Sequence, residues 1–68
     1  MKYLVIEIQN NGGTVSNICT AYDTKNLAEA AYHTILAAAA VSSVDVHTAV
    51  MIDEEGGFLK AECFKHED

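Results

Sequence analysis

The four glycines of this 68-residue chain fall in two pairs, Gly12-Gly13 and Gly56-Gly57, and the chain contains no proline. Each pair follows polar residues, in "NNGG" (10–13) and "EEGG" (54–57), and each is flanked by segments in which apolar and polar residues alternate. Asn and Gly accept the positive φ values that tight hairpins demand. Two hairpins are therefore expected, with residues 23–43 as one continuous element between them.

The flanking segments have the period of strands. In residues 2–9, Leu4, Ile6 and Ile8 share one face while Tyr3, Val5, Glu7 and Gln9 share the other, and the first, more apolar set is expected to face the core. The second strand, near 14–22, has no clear parity: Val15, Cys19 and Ala21 compete with Ile18 and Tyr22, as suits an edge. In residues 44–53, Val44, Val46, Val50 and Ile52 are expected inward, with Asp45, His47, Ala49, Met51 and Asp53 outward. A last strand near 58–65 places Leu59, Ala61 and Cys63 opposite Phe58, Lys60, Glu62 and Phe64.

"DTKNLAEAAYHTILAAAAVSS" is expected to be helical. Thr24 or Asp23 can cap its first amides, Asn26 with Glu29 offers a capping-box alternative, and Val41 with the serine pair ends it. The expected fold is a single α+β domain over 1–68, with the order ββαββ. Its four-stranded antiparallel sheet, strand order 2-1-3-4, carries one helix packed on one face, since sheet and helix must each bury an apolar side.

At 100° per residue, Ala28, Ala31, Tyr32, Ile35, Ala38 and Ala39 gather on the helix face assigned to the sheet, with Leu27 and Leu36 at its margins. The far side carries Ala30, His33, Thr34, Ala37, Ala40 and Val41, where lysines and glutamates would be usual on a surface helix. Small side chains there permit close approach of another backbone. The outward face of the sheet would also expose Tyr3, Val5 and Met51, with Phe58 and Phe64. Two apolar surfaces on so small a domain point to a homo-oligomer, with a twofold dimer preferred, whose interface draws on Ala30, His33, Ala37 and Ala40 or on Tyr3, Val5 and Met51.

Ten acidic residues against four lysines give a net charge of -6, which argues against nucleic acid as a partner because duplex binding draws on cations. Asp53-Glu54-Glu55 and Glu67-Asp68 read as a solvated turn and a solvated tail. The apolar run of "MKYLVIEIQ" is short and interrupted by Glu7, so neither a secretory address nor a membrane span is expected. Cys19 and Cys63 form no paired motif; a cytoplasmic location with reduced thiols is the expectation.

Only His33, His47, His66, Cys19 and Cys63 invite a site. Cys63 and His66 have a C-x-x-H spacing without the second pair that structural zinc needs. Cys19 with His47, or Cys63 with His33, could combine as nucleophile and base only if the fold brought them together. Neither glycine pair joins a strand to a helix, so no phosphate loop is present. No catalytic residue or cofactor is assigned; the leading function is a non-enzymatic interaction module, and the alternative is a small metal-binding protein or enzyme using His47, Cys63 and His66.

The stretches "MKYLVIEIQ", "GTVSN", "AYDT", "AEAAYHTILAAAAVSS", "VHTAVM" and "CFKHED" together resemble small uncharacterised proteins of gut Firmicutes and their prophages, over nearly the whole chain. The resemblance implies a bacterial or phage cytosolic origin and a role beside phage structural genes, where the interaction module expected from the apolar surfaces would serve as an adaptor or assembly factor. It transfers no catalytic residue.

Overall fold

The computed structural model describes residues 1–66; the acidic tail Glu67-Asp68 lies outside them. The elements run β1 (Tyr3–Asn11), β2 (Thr14–Tyr22), α1 (Lys25–Ala40), β3 (Val46–Asp53) and β4 (Phe58–Lys65). All strand pairs are antiparallel and the order is β2-β1-β3-β4, as expected from the sequence.

Both turns have the expected chemistry. Gly12 and Gly13 have φ of 64° and 90°, the two consecutive positive values of a two-residue hairpin loop that matches strand twist. In the second hairpin, Gly56 has φ of 83° and donates to the Asp53 carbonyl, while Asp53 Oδ1 accepts from the amides of Glu55 and Gly57 at 2.9 and 2.8 Å. The Asp53 side chain thus holds the turn that its own backbone begins.

Thr24 is the N-cap of α1, its hydroxyl accepting from the Leu27 amide at 3.2 Å. At the other end Val41 and Ser42 donate back to the Ala38 and Ala39 carbonyls. Of the helix face assigned to the sheet, Ala28, Tyr32 and Ala39 are buried, and Ala31, Ile35 and Leu36 pack partly against the core. Ala38 instead is exposed.

The sheet presents the opposite face to the helix from the one expected. Val5, Ala49 and Met51 are the buried strand residues of the core, at 2%, 0% and 0% exposure, and His47 lies beside them at 4%. Leu4, Ile6, Ile8, Val46, Val50 and Ile52 occupy the other face, half-buried among one another. Tyr3, Val5 and Met51 therefore belong to the helix-covered side and are withdrawn as an outer interface.

The physical reason is steric. A helix seats closely on a sheet where small side chains leave room, and Ala28, Ala39 and Ala49 are all fully buried at this contact, with Tyr32 and Met51 filling the remaining volume. A β-branched stack such as Ile6, Val50 and Ile52 is instead suited to a flat apolar face.

Candidate interaction surfaces

Strand register fixes which side chains share the uncovered face. Leu4, Ile6 and Ile8 stand opposite Ile52, Val50 and Thr48 of β3, and on their other side opposite Ala21, Cys19 and Asn17 of β2. Ala61 and Cys63 of β4 extend the same rows beyond Val50 and Thr48. At the far end Asn10 lies between Val15 and Val46, and Lys65 beyond Val46 is the one charged side chain of the strands on this face. The shortest dimension of the molecule, 15 Å, is that of one sheet with one helix layer.

The helix side holds the charge. Lys60 Nζ donates to Glu29 Oε1 at 3.1 Å and lies 5.7 Å from the centre of the Tyr32 ring. Hydrogen bonding and attraction from Lys60 lower the Glu29 carboxyl below its usual range. Lys2 pairs with Asp23 at the surface, tying the start of the first hairpin to its end. Ala30, His33, Ala37 and Ala40 are exposed on the outer face of the helix, where the sequence places them.

A polar array sits where the helix ends. His47 Nε2 contacts Glu7 Oε2 at 2.6 Å, and Nδ1 contacts Ser42 Oγ at 3.1 Å. A carboxylate only accepts, so Nε2 carries a proton toward Glu7. Gln9 Nε2 adds a second donor to the same oxygen at 3.2 Å. Periodicity signalled none of this, because Glu7 and His47 fell on strand faces taken to be solvated.

Serine, histidine and glutamate are also the components of an acyl-transfer site, which further needs an oxyanion donor and room for a substrate. Here the Ser42 amide is committed to the Ala39 carbonyl. The cavity nearby, about 210 Å³, is lined by Glu7, Gln9, Ser16, Asn17 and Ile18, not by Ser42 or His47. The array links the segment after α1 to β3 and β1.

The other chemistry-bearing residues are dispersed. Cys63, level with Thr48, projects from the uncovered face, and His47 from the covered one. His66 Nε2 donates to the Ala39 carbonyl at 2.7 Å, and the ring stacks on Phe64. His47, Cys63 and His66 thus form no common site, and among the described residues no three His, Cys, Asp or Glu side chains are grouped to hold a metal ion. Cys19 and Cys63 are both free and exposed, on the two edge strands. Among the described residues no helix is long and apolar enough to cross a membrane. Comparison with protein-family models, with curated proteins and with solved structures gives no match.

Proposed function

We propose that this chain is a non-enzymatic interaction module that closes on a second copy of itself through the uncovered face of its sheet. The observation that carries the reading is that the more apolar side of the central strands lies opposite the helix: Leu4, Ile6 and Ile8 with Val46, Val50 and Ile52. Contiguous apolar rows of this extent, at the upper end of what a lone domain exposes, support a surface that a partner covers.

Size and charge favour a second copy as the cover. Four strands about 4.8 Å apart and eight residues at about 3.3 Å each give a footprint of about 500 Å². Two such faces bury about 1,000 Å² together, the area at which a contact becomes large enough for a biological interface. Two chains of net charge -6 repel unless they meet on a neutral surface, and this face carries only Lys65. The outer helix face of Ala30, His33, Ala37 and Ala40 is the second candidate, with weaker support, because exposed alanine in a helix costs little. In the bacterial or prophage setting that the resemblance implies, such a module would act as an adaptor or assembly factor.

Ile6 lies at the centre of the face, between Cys19 and Val50. Ile6→Lys places a charge that a closed sheet contact cannot solvate, so sedimentation equilibrium should give a lower mass than for the wild type, with an unchanged circular dichroism spectrum. Ala37→Glu should leave the mass unchanged. A lowered mass for Ala37→Glu with a wild-type mass for Ile6→Lys would move the interface to the helix.

A further inference from the structure

The two edges of the sheet are not alike. β4 carries Lys60, Glu62 and Lys65 and a register irregularity opposite Met51/Ile52, devices that discourage pairing with another strand. β2 has none of them: Thr14–Tyr22 contains no charged residue and no proline, and pairs with β1 over its whole length without a bulge. Eight of its nine residues are exposed and Tyr22 is half-buried. We infer that this edge is a strand-addition site whose occupant is β2 of a second copy, paired antiparallel about Ile18.

The register of the hairpin determines which backbone groups are free. The two-residue loop makes Asn11 and Thr14 the hydrogen-bonded pair that closes the turn. Bonded and non-bonded pairs alternate in an antiparallel ladder, so Thr14, Ser16, Ile18, Thr20 and Tyr22 bond to β1. Val15, Asn17, Cys19 and Ala21 direct their N–H and C=O groups outward.

A second β2 running the other way satisfies all of these groups at once. With Ile18 opposite its own copy, Val15 stands opposite Ala21 and Asn17 opposite Cys19, and every outward-directed residue meets an outward-directed residue. Ile18 falls in a non-hydrogen-bonded slot, where side chains approach most closely, and its 63% exposure would be covered by its equivalent. No like charges meet along the strand, although each chain carries a net charge of -6. Any extended peptide can satisfy the backbone groups; the exposed Ile18 meeting its equivalent at the centre of an uncharged strand is what selects a second copy.

The contact rests on the homo-oligomer reading only in taking a like chain as occupant, since it uses a different surface. Edge pairing keeps the helices on one side and joins two uncovered faces into one, and stacking two such double sheets closes a tetramer with three perpendicular twofold axes.

Amide hydrogen exchange on the wild-type protein is the direct test. The amides of Val15, Asn17, Cys19 and Ala21 should exchange slowly, at rates that rise on dilution; fast exchange of all of them at every concentration would overturn the inference. Native mass spectrometry adds a second readout. Asn17→Pro removes an outward N–H without touching the β1 ladder, and Ile18→Lys sets two lysines side by side in the closest slot. Each should halve the wild-type tetramer mass, as Ile6→Lys should through the other contact. Folded Asn17→Pro and Ile18→Lys proteins of wild-type mass would sink the edge contact while leaving the face reading intact. Halving by Ile18→Lys but not by Ile6→Lys would sink the face reading and keep the edge.

Discussion

A histidine that is 4% exposed must find partners for both ring nitrogens inside the protein, and His47 does so with Glu7 and Ser42. The two partners are not equivalent, because hydrogen bonds to an ionised group contribute more than neutral ones. His47→Ala should cost about 2–4 kcal/mol, from the cavity and from a half-buried carboxylate left with Gln9 alone. Ser42→Ala should cost about 1 kcal/mol or less. Urea denaturation of both variants checks the ranking; equal small losses would mean that the array fastens nothing. Tyr32 gives the corresponding statement for pH. Burial, with the nearby Glu62 carboxylate, raises its phenol above the ordinary value of 10.0, partly offset by Lys60. The unfolded chain then loses the phenolic proton at a lower pH than the folded one, so the contribution to stability is complete below pH 10 and is lost as pH rises through the folded value. Unfolding free energy measured across this range should fall more steeply for the wild type than for Tyr32→Phe.

The elements themselves were legible because local and global preferences agree. Positive-φ turn residues, a strong helix former capped by Thr24, and strands of period two each point to one answer, and the strand order follows from placing the most apolar strands centrally. Which sheet face takes the helix was not legible, for a reason contained in β1 and β3. Both strands are apolar on both sides: Val5 competes with Ile6, and Ala49 and Met51 compete with Val50 and Ile52. Ranking the faces by hydrophobicity selects the β-branched rows, whereas helix packing selects the face with the small residue, Ala49. The Glu7–His47 pair misled in the same direction, since each residue alone marks a strand face as solvated. A polar pair at cross-strand distance, Glu7 facing Ala49 and His47 facing Gln9 in adjacent strands, was the one signal that could have shown otherwise.

For the whole molecule, the misassigned face is the observation on which the proposed assembly rests. A chain of 68 residues can bury only part of its surface alone, and this one places its fully buried side chains in a single helix contact while the Leu, Ile and Val rows lie on the face away from the helix. The two thiols are natural reporters of whether the proposed contact covers that face. Cys19 lies beside Ile6 and Cys63 beside Thr48, both projecting from the uncovered face, and both are exposed in the single chain. Apposition of two sheets leaves about 10 Å between backbones, too little for a bulky aromatic thiol reagent to enter. Reaction of the native protein with such a reagent should therefore be slower than for Ile6→Lys, and should quicken on dilution for the wild type alone, because dilution shifts the population toward the open chain. Equal rates for the two proteins at every concentration would mean that the face stays open in solution.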